Sequence, residues 1–364
     1  EPAPQVARVP LEQAVQKARQ ESPYVFIDDL VDIRLETYAA AGDSVGYFRL
    51  RVIPKEDQSI EVLPKDITFV IDASSSIPQF KLNKTVNGVV RALDYLRAQD
   101  MFNIVIFRET PELFQGQPVA ATPENKAAAK SFLARVPSHG QTDVYNGILP
   151  VLHALPRGGV PAIVLVMSDG RPTTGIQDAR AIINGLTTDN NHVHSIYAFG
   201  GGNTVNRYLL DLLAYRNKGE AHVAEQVERI DEELPRFAAR LADPLLVNLR
   251  ANFSGIDVAE LAPSLIPDFY KGQVVTIYGS YKISGVKEFV VRLTGRALDQ
   301  KKELVFRADL AQATVGDREI ARNWAFQKSY DIIGEISRVG AQPELVTALR
   351  QLSQQFNIRT AYAE

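Results

Sequence analysis

Hydrophobic positions follow one rhythm at the two ends of the chain and another in its middle. Val31-Asp32-Ile33-Arg34-Leu35-Glu36 and Tyr47-Phe48-Arg49-Leu50-Arg51-Val52-Ile53 alternate with period two around a turn at Ala41-Gly42-Asp43-Ser44. Such alternation predicts half-exposed antiparallel strands. Before them, the spacing from Leu11 to Arg19 suggests a short surface helix. From Asp66 onward the apolar runs become continuous: 66–71, 102–107, 162–167 and 193–199. Runs rich in β-branched residues with no alternation predict parallel strands buried on both faces. Between them lie segments of helical spacing at 80–97, 123–135, 143–155, 178–186, 206–214 and 226–241. After Asp243 alternation returns at 246–251, 273–278, 289–293 and 303–306, with turn glycines at Gly255, Gly272, Gly285 and Gly295 and no helices between. That is the pattern of a β-sandwich. Helical spacing resumes at 319–338 and 344–355, and a last strand is expected through 358–361.

The expected fold class is therefore α/β, with a doubly wound, mainly parallel sheet inserted in or followed by an antiparallel β-sandwich and then C-terminal helices. The boundaries fall at 1–64 for a helix and strands contributing to the sandwich, 65–242 for the α/β domain, 243–316 for the sandwich and 317–364 for the helices. A chain of 364 residues can hold one large domain or two ordinary ones with real cores. Hydrophobic content of 45% and charged content of 23% are ordinary for a globular protein. A formal net charge of -3 argues against a dedicated nucleic-acid surface. The absence of cysteine removes disulfides, thiolate metal sites and thiol nucleophiles together. No apolar run reaches the ~20 residues of a membrane span. The opening Glu1-Pro2-Ala3-Pro4 has no apolar leader and reads as a mature end or a cut boundary.

The candidate chemistry sits at strand ends. The run Ile67 to Ile71 stops at Asp72, followed by Ser74 and Ser76. Open α/β sheets place ligands at the carboxyl ends of their strands. Two further pieces should meet there: Thr142, in the loop His139-Gly140-Gln141-Thr142-Asp143, and Asp169, which closes the 162–168 run. The arrangement resembles the metal-ion-dependent adhesion site of von Willebrand factor A domains, in which D-x-S-x-S, a lone Thr and a later Asp occur in this order. Asp72, Ser74, Ser76, Thr142 and Asp169 match all five positions. By that resemblance Ser74 and Ser76 ligate a cation directly, Thr142 ligates directly or through water, and Asp72 and Asp169 act mainly through waters. Oxygen-only donors select a hard cation, Mg²⁺ first, with Mn²⁺ or Ca²⁺ as alternatives. Neutral hydroxyls leave the ion's charge poorly quenched, so an open position should attract an exposed Asp or Glu of a protein partner. Asp72, Ser74 and Ser76 could instead merely cap the following helix, and Asp143 could be the ligand in place of Thr142 or the cap of its own helix.

The likeness continues along residues 45–364. Gly46-Tyr47-Phe48 with Pro54, Gly201-Gly202-Asn203-Thr204-Val205-Asn206, Asp243-Pro244, Ile266-Pro267-Asp268-Phe269-Tyr270-Lys271-Gly272 and Trp324-Ala325 are similar to the inter-alpha-trypsin inhibitor heavy-chain group and its bacterial relatives. The vault-type domain usual before the A domain of that group does not fit upstream of Gly46, and the Asp-Pro-His element for coupling to glycosaminoglycan does not occur, so attachment to hyaluronan is not expected. The resemblance implies a non-enzymatic, cation-dependent adhesion or assembly module in an extracytoplasmic setting. The alternatives are a metal-dependent hydrolase or enzyme accessory, with Asp143 or His139 as the only nominees for a base, or a domain that its metal merely stabilises. His192 and His194, two apart on an expected strand, could supply half a transition-metal site but read more simply as structural or solvent-facing.

Overall fold

Residues 24–27, 30–55, 61–254, 261–285 and 288–359 are described by the computed structural model of the chain. The expected helix at 11–19, Gly255 and the last two residues of the expected strand at 358–361 lie outside them. The chain enters through β1 (Val25–Phe26), β2 (Val31–Tyr38) and β3 (Val45–Pro54). An α/β unit follows: β4 (Asp66–Asp72), α1 (Gln79–Ala92), β5 (Met101–Phe107), β6 (Pro111–Leu113), β7 (Val119–Ala120), α2 (Pro123–Leu133) and α3 (Val144–Leu152). It continues with β8 (Ala162–Met167), α4 (Ala179–Asn190), β9 (Ser195–Gly201), α5 (Arg207–Tyr215), β10 (Ala221–Ala224) and α6 (Ile230–Ala239). Then come β11 (Pro244–Ser254), β12 (Leu261–Ala262), β13 (Phe269–Tyr270), β14 (Val275–Lys282), β15 (Glu288–Ala297), β16 (Gln300–Asp309), β17 (Thr314–Val315), α7 (Glu319–Val339) and α8 (Pro343–Phe356).

The α/β sheet has the order β10-β9-β8-β4-β5-β6, with β7 also on β5. β10, β9, β8, β4 and β5 are parallel, and β6 and β7 run antiparallel to β5. Its continuous apolar runs are explained by two cores, one on each face. Ile67, Phe69 and Ile71 of β4 pack with Leu82 and Val89 of α1 and Phe237 of α6. Val70, Val105, Val164 and Val166 pack against α3, α4 and α5. Helices on both faces are what a parallel sheet requires, because each crossover must cover the sheet it returns to.

The alternating segments form the sandwich. One sheet runs β12-β14-β3-β2-β17 and the other β1-β16-β15-β11-β13. Phe48, Leu50 and Val52 of β3 lie opposite Gly279, Ile277 and Val275 of β14 and point into the core between the sheets. Strands from before and after the α/β unit thus share one sheet, and the α/β unit is an insertion between them. α7 closes the assembly. Ile320, Trp324 and Ala325 pack on Tyr47 of the sandwich, while Ile333 and Ile336 join the core beneath α4 and α5.

Several boundaries differ from the pattern reading. The helix expected at 80–97 ends as an α-helix at Ala92 and passes through a 3-10 turn at Leu93–Tyr95. Leu96 is already extended, so that the chain can turn back into β5. The helix expected at 226–241 begins with a 3-10 turn at Val227–Arg229. Ile358 and Arg359 are not in a strand; the Ile358 N–H bonds the carbonyl of Ser353 and closes the end of α8. The short strands β6, β7, β12, β13 and β17 have no rhythm of their own to announce them. Among the described residues no helix is long and apolar enough to cross a membrane.

A buried ion pair anchors the start of β4. Lys65 Nζ donates to Asp100 Oδ2 at 2.6 Å and to the Ala242 carbonyl at 2.7 Å, and the Lys65 and Arg97 N–H groups bond the same carboxylate. One cluster therefore ties together β4, the entry to β5 and the exit from the α/β unit. Burial pulls the Lys65 pKa down, and Asp100 works against it. Removing one partner of such a pair strands a charge. Asp100→Ala is expected to cost about 3–5 kcal/mol in urea unfolding, and a loss under about 1 kcal/mol would show that the cluster does not anchor the strand.

Candidate functional site

β4 and β8 are neighbours in register, with Ile71 beside Met167, yet the chain leaves them in opposite directions. After β4 it packs α1 on one face of the sheet; after β8 it packs α4 on the other. Diverging exits leave a crevice at the carboxyl ends, the switch point at which open α/β sheets take ligands. Asp72 closes β4, and Ser168 and Asp169 follow β8 directly.

Asp72 is 2% exposed, and its two oxygens are held from two strand ends. Oδ1 accepts from the Ser74 N–H at 3.0 Å and the Ser74 Oγ at 2.6 Å; Oδ2 accepts from Ser168 Oγ at 2.7 Å. Ser168 Oγ also accepts from the Gly170 N–H, whose residue takes the left-handed conformation at φ 68°. Asp169 is as buried as Asp72. Its Oδ1 accepts from the Arg171 N–H at 3.0 Å, and its carbonyl accepts from the Asn206 N–H at the start of α5.

Three hydroxyls converge above these acids. Thr142 Oγ1 donates to Ser74 Oγ at 2.7 Å, Ser74 Oγ stands 3.0 Å from Ser76 Oγ, and Ser76 Oγ stands 3.5 Å from Thr142 Oγ1. Oxygens mutually cis around an octahedral cation with ~2.0–2.1 Å bonds stand about 2.9 Å apart. The triangle therefore has the dimensions of a coordination face for a hard cation. Ser74 and Thr142 are buried and Ser76 is exposed, so one side opens to solvent. Among the described residues no group of three or more His, Cys, Asp or Glu converges, so a cation here would rest on hydroxyls backed by two carboxylates.

Thr142 is placed by its neighbours. Its N–H donates to Thr173 Oγ1 at 2.8 Å, and its carbonyl accepts from the N–H groups of Thr173 and Thr174. The preceding turn is pinned by Glu109, whose Oε1 accepts from the Gln141 N–H, while the Gly140 carbonyl accepts from Ser75. Gly140 has φ 80°, which suits glycine best. Asp143 is the cap of α3, its two oxygens taken by the N–H and the side-chain amide of Asn146. His139 is exposed and gives its backbone N–H to Ala73.

Four of the five sequence-predicted residues thus share one hydrogen-bonded network, and Asp169 joins as a buried neighbouring charge. The sequence reading missed Ser168, Glu109 and Lys81. Lys81 is buried on α1, lines the small space beneath Asp72 and Ser168, and is drawn toward Asp169 and Asp72 while burial lowers its pKa. Its signal was a lysine on the apolar face shared by Leu82, Thr85 and Val89. His192 and His194 precede β9 and do not lie in a strand. His192 takes a left-handed φ of 58°, and His194 is buried with Nδ1 3.2 Å from Asn190 Oδ1, burial pushing its pKa down to about 4.

Burial is also the main cause that raises the Asp72 pKa from 3.8 to about 6; the Ser74 and Ser168 hydroxyls oppose it and Asp169 adds to it. The folded protein thus holds a proton here between about pH 4 and 6 that the unfolded chain has lost, so this group's contribution to stability falls as pH rises through that window. Above it the charged side chain costs on the order of 3 kcal/mol. In chelator, Asp72→Asn is expected to be more stable than the parent at pH 7 by about 1–3 kcal/mol and to show a flatter pH dependence from about 4 to 6 in urea unfolding. Equal stability and equal slope would show that Asp72 carries no such strain.

The family model for the von Willebrand factor type A domain matches residues 65–223. Inter-alpha-trypsin inhibitor heavy chain H3 of Mus musculus is 24% identical over 77% of this chain and 33% of its own length. Heavy chain H2 of Sus scrofa is 23% identical over 86% of this chain and 35% of its own length. The chain spans about a third of the length of the curated relatives it matches. Among solved structures, a von Willebrand factor type A protein from Catenulispora acidiphila superposes with a TM-score of 0.63 at 13% identity, over 90% of this chain and 87% of its own. The ArnB paralog VWA2 from Sulfolobus acidocaldarius reaches 0.53 at 17% identity, over 92% of both chains. These likenesses extend across the α/β unit and the sandwich together.

Proposed function

We propose that this chain is a binding module that takes its partner through a divalent cation: residues 65–223 match the von Willebrand factor type A domain, a class of domain that mediates protein–protein interaction and adhesion. The observation that carries this reading is the hydroxyl triangle of Ser74, Ser76 and Thr142 standing over two buried carboxylates and open to solvent at Ser76. Ser74, Ser76 and Thr142 would hold the ion, with Asp72 and Asp169 behind them. Mg²⁺ suits the short oxygen spacings; Mn²⁺ and Ca²⁺ are the alternatives.

The residues present fit such an ion electrostatically. Asp72 and Asp169 are two buried charges against one buried lysine, so the site carries an excess of negative charge that a cation would relieve. The groups that face outward are neutral hydroxyls. The bound ion would supply uncompensated positive charge at the rim, and the complementary group on a partner is an exposed Asp or Glu. An extracytoplasmic setting belongs to the same proposal and rests on the resemblance to the heavy-chain group.

Magnesium at ~100 times its Kd is expected to stabilise the chain by about 2.7 kcal/mol, read as a rise in melting temperature that chelator reverses. Ser74→Ala and Asp169→Ala should abolish the rise while remaining folded by circular dichroism. Capture of a protein partner should likewise be lost in chelator and in both variants. A partner held equally well in chelator would refute the metal-mediated mechanism, and a magnesium-dependent rise in melting temperature that survives in both variants would refute the site.

A further inference from the structure

The amino ends of β8, β9 and β10 lie at the opposite pole of the α/β unit, away from the hydroxyl triangle. There the loops 156–160 and 191–193 and Lys218 face β11 and the β15–β16 pair across a cleft of about 1230 Å³. Its walls are joined directly. The Leu298 N–H bonds the Gly159 carbonyl at 3.1 Å, and Gly159, at φ 68°, packs so close that a Cβ would stand 2.0 Å from the Leu298 carbonyl. Asp268 ties the floor, accepting from Ser195 Oγ and from the Asn248 N–H, each at 2.8 Å. The cleft is thus built into the fold and needs no rearrangement to exist.

Its charge does not match the rest of the chain. Arg157, Lys218, Arg250, Arg296, Lys301 and Lys328 line it against one carboxylate, Asp331, in a chain of net charge -3. Arg157 is committed to Asp66, and Lys218 stands 4.0 Å from Asp268. Arg250, Arg296 and Lys301 are exposed and make no ion pair among the described residues. Arg296 and Lys301 also stand directly opposite each other on β15 and β16. Like charges facing across a ladder destabilise it, and the Tyr24 ring, 5.9 Å from Lys301 Nζ, offsets only part of that cost.

One feature indicates what would relieve it. Leu249, Leu265 and Ile266 are half-buried in the same cleft and offer apolar surface beside the cations. We propose that this cleft binds an acidic peptide segment of a partner protein, its carboxylates on Arg250, Arg296 and Lys301 and its apolar side chains beside Leu249, Leu265 and Ile266. The apolar floor favours a peptide over an anionic saccharide. This site does not depend on the cation reading, because it lies at the other end of the sheet.

The test is fluorescence polarisation with a labelled alternating Glu–Leu peptide, run throughout in chelator so that the hydroxyl site is silent. The peptide is expected to bind, to weaken with added salt, and to bind Ser74→Ala as well as the parent. The triple variant Arg250→Glu, Arg296→Glu, Lys301→Glu should lose at least tenfold in affinity. Lys301→Glu alone, which replaces a like-charge pair with an ion pair and so keeps the fold, should lose severalfold. Equal binding of a Lys–Leu peptide, undiminished binding by the variants, or binding of a heparin oligosaccharide but not the Glu–Leu peptide would each overturn the proposal.

Discussion

A carboxylate can be buried only if the protein supplies donors for it, and the centre of this molecule is built around that requirement at Asp72. One oxygen is served by the loop that leaves β4, through Ser74, and the other by the end of β8, through Ser168. The two exits that diverge around the sheet are thereby joined at the point where they separate. The donors are not enough to restore an ordinary acidity, since burial and the neighbouring Asp169 hold the Asp72 pKa up near 6. What remains is a folded but electrostatically unfinished site, with Lys81 on one side and hydroxyls on the other. A protein selected for stability alone would place an amide here.

The insertion gives the molecule two ends with different chemistry. At the carboxyl ends of the strands sit hydroxyls over buried acids; at the amino ends sits a cleft lined by arginine and lysine. The sandwich closes one wall of that cleft because its strands come from both sides of the insertion, so the α/β unit enters and leaves at neighbouring points. Lys65, Asp100 and the Ala242 carbonyl fasten that junction, and α7 spans from Tyr47 in the sandwich to the core under α4 and α5. The poles are therefore held at a fixed separation by packed elements.

The layer architecture was legible in the chain because burial has a period. Ile67 to Ile71 show no alternation since both faces of β4 are covered by apolar cores, whereas Phe48, Leu50 and Val52 alternate because the other face of β3 carries Arg49 and Arg51, half-buried and paired with Glu36. Element ends were less legible. Nothing in the apolar spacing of 80–97 signals the 3-10 turn at Leu93–Tyr95, which answers to where β5 must begin. His192 and His194 read as a strand pair, yet the left-handed conformation of Asn191 and His192 delays β9 to Ser195. β12, β13 and β17 are two residues each and exist only through their partners.

By itself the sequence determined the order of layers and placed Asp72 and Asp169 at the ends of apolar runs, with Ser74, Ser76 and Thr142 in turns, because strand ends and turn residues are local properties written in neighbouring side chains. Only the tertiary structure decided which of these oxygens touch, that Asp143 turns away to cap α3, and that Ser168 and Lys81 complete the surroundings of Asp72. It also decided that Arg296 faces Lys301 and that both look into one cleft with Arg250. Hydrogen bonding and charge act through space at a few ångströms, and residues brought that close from distant parts of a chain leave no mark in its linear order.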